Sequence, residues 1–347
     1  MQYRKLGRTG IEVSSICLGT MTWGSQNNQA EADAQLDLAL GEGVNFIDTA
    51  EMYPATPRSM QTVGDTEVII GNWLKGRSDR GKLIIASKLT GTGRIDIRQG
   101  ERVTGKTVRK VLDQSLQRLQ TDYVDIYQLH WPNRGSYHFR ASWNFDPAKA
   151  DVGNMDQEVA DILGEVALLK REGKLREFGL SNETAWGVMK FVETSERHGL
   201  PRIVSIQNEY SLICRQFDLD LAETCIREDV GLMAYSPLAT GLLTGKYEGG
   251  KVPVGSRLTI LANLNGRATA QAYEATAAYC DLARQNGLLP EQMALAFAMS
   301  RPFMMSVIIG ATSIDQLKTN LGAARVELSE EVMEAIGAIH RRYPMPM

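Results

Sequence analysis

The chain lacks the patterns that mark a metal centre, a disulfide scaffold or a membrane span. Its four cysteines, Cys17, Cys214, Cys225 and Cys280, form no CxxC pair, and three lie in apolar or helical contexts. That usage fits reduced, buried thiols rather than a cross-linked secreted domain. Histidine is scarce as well: there are four in 347 residues, with no HxH and no HExxH, which argues against a metal-dependent hydrolase, and no metal site is expected. No apolar run approaches the roughly 20 residues that cross a bilayer. The opening MQYRKLGRTG has no apolar leader stretch. Basic residues are not in excess: the net charge is −3 and the pI near 5.9, which argues against a nucleic-acid partner. The expectation is a cytoplasmic protein with no membrane partner. No interface signature for an oligomer is visible.

What the chain does have is alternation. Eight short β-rich runs recur: SSICLGT (14–20), VNFIDTA (44–50), KLIIASKL (82–89), YVDIYQLH (123–130), LREFGLSN (175–182), IVSIQNEYS (203–211), GLMAYSPL (231–238) and SVIIGAT (306–312). Between them lie helical patterns with apolar residues three and four apart, such as 107–120 and 155–174. Strand–helix alternation implies a parallel sheet. Eight units predict a closed (β/α)8 barrel, and with no linker or composition break the whole of 1–347 reads as one domain. Ahead of the first unit, YRKLGRTGIEV predicts a β-hairpin turning at Gly7–Gly10 and plugging the barrel's non-catalytic end. Ser313 is a candidate N-cap, and Gly173 and Gly199 are candidate helix stops. Two connections, 132–154 and 239–268, are long for a compact domain. They leave the catalytic face, so a substrate wall and a cofactor clamp are the functional readings. A solvated excursion is the ordinary one. The tail HRRYPMPM (340–347) has no assigned role.

In such a barrel the C-terminal strand ends carry the chemistry. Asp48, Tyr53, Lys88 and His130 fall at those ends. Singly, each has a plain explanation: a cap, a loop tyrosine, an exposed strand end, a core histidine. Together they form an acid–base set. Carbonyl reduction needs hydride at carbon and a proton at oxygen. A free phenol titrates at about 10, too high for efficient transfer near neutrality. An ammonium at Lys88 lowers it by favouring phenolate. Asp48 holds Lys88, and His130 orients the carbonyl.

No GxGxxG follows a strand, and GTGRID (91–96) lacks the third glycine, so a dinucleotide is not bound in the Rossmann manner. YEGGK (247–251) fits YxxxK, but its two central glycines oppose the helix that motif needs, at about 1 kcal/mol each. Other segments offer donors. Ser181, Asn182 and Gln207 present hydroxyl and amide groups suited to a carboxamide; loop capping is the alternative. Tyr235 offers a stacking ring. Ser236, Leu238 and the run Gly241–Lys246 supply flexible backbone and a cation suited to a pyrophosphate. Gly310, Thr312 and Ser313 stand at a helix N-terminus, a natural anion site. Trp23 and Trp131, beside Tyr53, read as aromatic pocket walls.

The chain is similar to aldo-keto reductases over essentially its whole length. The matching segments are LGTMTWG (18–24), FIDTAEMYP (46–54), IIASK (84–88), DYVDIYQLHWP (122–132), FGLSNE (178–183), IQNEYSLI (206–213), AYSPLATGLLTGKY (234–247) and IIGATSIDQLKTN (308–320). This resemblance implies an NADP(H)-dependent barrel reductase of aldehydes or ketones, with NADH as the weaker alternative cofactor. It implies Tyr53 as acid/base supported by Asp48, Lys88 and His130. It also implies Gly19 and Thr20 at the cofactor, Arg257 over its adenine or phosphate end, the 2′-phosphate at Gly310–Ser313, and Gln316 and Asn320 near the adenine. Three positions depart from common family patterns: position 316 lacks arginine, Thr319 replaces glutamate, and Pro54 replaces glycine. The first two bear on the preference for NADPH over NADH. Potassium-channel β subunits share the tetrad and cofactor site, so an NADPH-binding regulatory module with little turnover is the rival expectation.

Overall fold

Every one of the eight expected runs forms a strand, and the eight close on one another. The computed structural model describes residues 1–347. A short hairpin comes first: β1 (Tyr3–Lys5) pairs antiparallel with β2 (Glu12–Ser14). The barrel strands are β3 (Ile16–Gly19), β4 (Phe46–Asp48), β5 (Ile84–Leu89) and β6 (Val124–Leu129), followed by β7 (Leu175–Ser181), β8 (Ile203–Glu209), β9 (Gly231–Tyr235) and β10 (Met304–Ile309). They hydrogen-bond in chain order, all parallel, and β10 returns to β3 to shut the ring. With both faces covered, most barrel strands are buried along nearly their full length. This is why they read as apolar runs rather than alternating ones.

The helices are α1 (Gln29–Gly41), α2 (Asp65–Leu74), α3 (Gly105–Leu119), α4 (Met155–Arg171), α5 (Ala185–His198) and α6 (Asp220–Glu228), then α7 (Arg257–Ile260), α8 (Ala270–Gln285), α9 (Pro290–Met299), α10 (Ile314–Gly322) and α11 (Glu330–Arg342). Polar caps set their starts. The Asn28 side chain accepts from Glu31 N while Glu31 reaches back to Asn28 N. Thr104, Thr184 and Thr269 each accept from a first-turn amide, as does Ser313. Gly199 ends α5 in the left-handed conformation.

Strand and helix side chains merge in one apolar cluster of 73 buried residues. A second cluster lies inside the ring: Leu6, Ile11 and Val13 of the hairpin meet Phe46, Ile84, Val204 and Met233. Phe46 and Ile84 open their strands, so the hairpin seals the N-terminal end of the barrel. The opposite end is left to the loops. No helix is long and apolar enough to cross a membrane.

The two long connections are ordered by contacts. The first, 132–154, is latched to the strand-end residues after β7: Arg134 pairs with Glu183, Ser136 Oγ donates to Asn182 O (2.8 Å), and His138 Nε2 donates to Glu183 O (2.9 Å). The second, 239–268, holds two short 3₁₀ stretches and α7. Within it Tyr247 is buried and the glycines after it form one 3₁₀ turn, as their opposition to α-helix requires.

Candidate active site

Asp48 closes β4, Lys88 is the penultimate residue of β5, and His130 follows β6 directly. Lys88 is fully buried. Its Nζ donates to Asp48 Oδ2 at 2.7 Å and to Thr49 O at 2.8 Å. Burial pushes the ammonium's pKa down, but Asp48 and Tyr53 outweigh it and the net direction is up, so Lys88 stays charged. Tyr53, five residues beyond β4, swings back over this pair: Lys88 Nζ lies 4.9 Å from its ring centroid. The His130 ring meets the Tyr53 ring edge-on, with centroids 5.9 Å apart. Burial, then Lys88, push His130 well below its ordinary pKa. It is therefore a neutral imidazole, able to donate one hydrogen bond.

Tyr53 corrects one expectation. Burial raises the phenol's pKa, and although Lys88 pulls it down, the net direction is up. Tyr127, buried without a lysine beside it, is pushed well above its ordinary value. The lysine therefore offsets burial rather than bringing the phenol towards neutrality. What results is a protonated donor beside a fixed positive charge.

Gln207 sits on β8 opposite Ser181 of β7. Its Nε2 donates to Asp48 Oδ1 at 2.8 Å, so Asp48 is held from both sides. Sequence reading placed Gln207 with the cofactor and did not foresee this link. Ser181 Oγ donates to Gln207 O (2.8 Å), and Asn182 Nδ2 donates to His130 O (2.9 Å). Tyr235 OH donates to Asn182 Oδ1 (2.7 Å). Tyr235, Asn182, His130 and Tyr53 thus form a connected rim. Thr20 Oγ1 donates to Asp48 O (2.9 Å). Gly19 lies against β10, where a Cβ would come 2.7 Å from Ile308 Cγ2.

Trp131 stands at the mouth: its Nε1 donates to Thr92 O (2.9 Å) and its ring meets Phe139 of the first long loop edge-on. Trp23 does not stand there. It is wholly buried, with Nε1 donating to Gln35 Oε1 of α1 (3.3 Å). Its expected place in the pocket wall is corrected to the core between strand and helix layers, where its large apolar area is worth most. Instead, the wall next to Tyr53 and Trp131 is built by Met52 and Ile97, which sequence reading did not single out.

The second long loop crosses the mouth. Arg257 at the start of α7 reaches Thr56, three residues past Tyr53 (Nη1 to Oγ1, 3.5 Å). Neither Arg257 nor Lys246 has a carboxylate within ion-pair distance. Burial lowers both pKa values, and mutual repulsion adds to the effect on Lys246. Two partly buried cations without counter-charge make a site for an anion. Lys246 folds over Gly241, whose φ of +98° leaves no room for a side chain: a Cβ would lie 2.7 Å from Lys246 Nζ. Ser236, Ala239 and Thr240 also have positive φ, so the backbone from Ser236 through Leu238 to Gly241 is curled rather than extended. Past β10, Gly310 is exposed and Ser313 caps Gln316 N. Gln316 Oε1 accepts from Thr312 N (3.0 Å) and Oγ1 (3.2 Å). An anion here would displace the exposed Gln316 side chain. Asn320 is buried one turn further on. The residues present fit a dinucleotide: a ring and amides at Tyr235, Asn182 and Gln207, unpaired cations at Lys246 and Arg257, and an amide cluster at Thr312.

Comparison with known proteins matches residues 15–341 to the model of the Aldo/keto reductase family. The Escherichia coli (strain K12) protein named Protein tas is 47% identical over 352 residues, covering 100% of this chain and 99% of that one. The Bacillus subtilis (strain 168) Uncharacterized oxidoreductase YrpG is 30% identical, covering 98% and 96%. An Aldo-keto reductase from Babesia bovis is 32% identical over 282 residues, covering 77% of this chain and 98% of its own.

Proposed function

The chain belongs to the aldo/keto reductase family, a family of oxidoreductases that generally use nicotinamide cofactors, and from that premise we propose that it is a cytoplasmic NADPH-dependent reductase of aldehydes or ketones. One observation carries the reading: a buried ammonium, pinned by Asp48, sits beneath a protonated phenol with a neutral imidazole alongside. When bound, a nicotinamide would supply the hydride that the carbonyl carbon needs. Tyr53 donates its proton to the carbonyl oxygen, and Lys88 steadies the phenolate left behind. His130 donates a hydrogen bond that orients the carbonyl. Asp48 and Gln207 keep Lys88 in place. Tyr235 and Asn182 would hold the nicotinamide end, and Lys246 and Arg257 the phosphates. NADPH is preferred over NADH because the amides around Gly310 and Thr312 suit a further phosphate. Met52, Ile97, Trp131 and Phe139 make the mouth apolar, which suits small aromatic or aliphatic carbonyl compounds.

The test is NADPH consumption with 4-nitrobenzaldehyde, run beside Tyr53→Phe. Turnover by the wild type and its loss in the variant, with NADPH binding retained in both, supports the reading. NADPH binding without turnover across a panel of aldehydes and ketones replaces it with a regulatory nucleotide-binding role.

A further inference from the structure

Glu209 ends β8, directly across from Tyr235 on β9. Its carboxylate is buried and divided between two guanidiniums. Oε2 accepts from Arg140 Nη1 at 2.8 Å, and Oε1 accepts from Arg267 Nε at 2.7 Å. Arg140 belongs to the first long loop and Arg267 to the second. Arg267 Nη1 also donates to Leu264 O (3.0 Å), which fixes the last turn of its own loop. A Cβ at Gly266 would lie 3.4 Å from Arg140 Cδ, so the second loop's backbone rests on the Arg140 stem. The C-terminal residues tie the same two segments from outside. Trp143 Nε1 donates to Met347 O (2.9 Å), and the Thr269 hydroxyl, capping α8 just beyond the second loop, donates to Pro346 O. Nothing in the proton-transfer set needs these contacts. A single buried carboxylate shared by two arginines is poorly explained as local stabilisation, since desolvating three charges offsets much of the attraction. Its geometric effect is plain: either loop can move away only by breaking its own ion pair with the one carboxylate they share.

We propose that Glu209 is a positioning residue that couples the two loops, so that the wall over the carbonyl site and the clamp over the cofactor close as one unit. It rests on the reductase reading for the identity of the two ligands. Ordering of 239–268 by the dinucleotide then also orders 132–154, and the carbonyl meets a preformed wall.

The experiment is hydrogen–deuterium exchange on the full chain with and without NADPH, for the wild type, Arg140→Met, Arg140→Lys and Glu209→Gln. Arg140→Met is the main probe because it leaves Glu209 paired with Arg267, so no buried charge is orphaned. The expected result is faster exchange in 239–268 although the substitution lies in the other loop, by about tenfold or more. NADPH, which protects both loops in the wild type, should protect only 239–268 in this variant. Arg140→Lys, which keeps the charge, should retain the coupling, and Glu209→Gln should lose it. Wild-type exchange in 239–268 of Arg140→Met, together with undiminished NADPH protection of 132–154, would overturn the proposal. If NADPH protects neither loop of the wild type, the cofactor reading fails instead, while the nucleotide-free comparison still reads the coupling.

Discussion

Lys88 Nζ donates to Asp48 Oδ2 at 2.7 Å, with 0% and 3% of the two side chains exposed. The pair lies beneath the Tyr53 ring and decides two things together. It outweighs the downward pull of burial on the ammonium's pKa, and it fixes that charge at one distance from the phenol.

Removing the cation exposes the cost of this arrangement. Lys88→Met leaves the Asp48 carboxylate buried with Gln207 and lowers stability by about 3–5 kcal/mol, as breaking a buried pair does. Adding Asp48→Asn removes the orphaned charge and recovers part of the loss. Urea midpoints of the two variants and the wild type check both statements. Equal midpoints for wild type and Lys88→Met would mean the pair is not buried as described.

Rate should depend on pH through Tyr53 alone. The phenol's pKa stands above its ordinary 10, and the reductive step needs it protonated. The reductive kcat is therefore flat through neutrality and falls only at strongly alkaline pH. His130, held well below its ordinary 6.5, stays neutral and adds no step near that pH. Lys88→Met moves the alkaline fall higher, because the lysine pulls the phenol down. A limb near 6.5 that disappears in His130→Gln would contradict this assignment.

His138 gives a separate, stability-based prediction. Burial holds its pKa down at about 4, against 6.5 unperturbed. Between those values the unfolded chain binds the extra proton, so this contribution is complete above 6.5 and is lost as pH falls towards 4. A shift of that size corresponds to about 3 kcal/mol. His138→Gln should therefore show a shallower decline in unfolding free energy between pH 7 and 4.5 than the wild type. Parallel declines would place His138 in contact with solvent.

Lys246 and Arg257 should act on cofactor affinity and not on the proton step. Lys246→Met or Arg257→Met weakens NADPH binding by about tenfold or more, the worth of a charge-assisted contact. Each variant also flattens the salt dependence of the dissociation constant. Fluorescence titration at two ionic strengths measures both. An unaltered constant in either variant removes that residue from the phosphate site.

The sequence alone determined the barrel, because strand–helix alternation leaves few topologies and strands buried on both faces must be apolar throughout. It placed Asp48, Lys88 and His130 on one face for the same reason: residues at parallel strand ends share a rim whatever the details of packing. Trp23 and Trp131 each stand a few residues beyond the end of a barrel strand. Only packing sends one ring into the core and leaves the other at the mouth. The direction of the Tyr53 shift was equally hidden, because it is a difference between burial and a nearby charge, and burial is a tertiary quantity. Glu209 shows the limit most clearly. The sequence puts an acid at the end of a strand, but Arg140 and Arg267 lie 69 and 58 residues away along the chain. Their meeting on one carboxylate depends on how two long loops fold over the mouth. Periodicity fixes elements and their order; which charges are desolvated together is decided by the path of the chain between them.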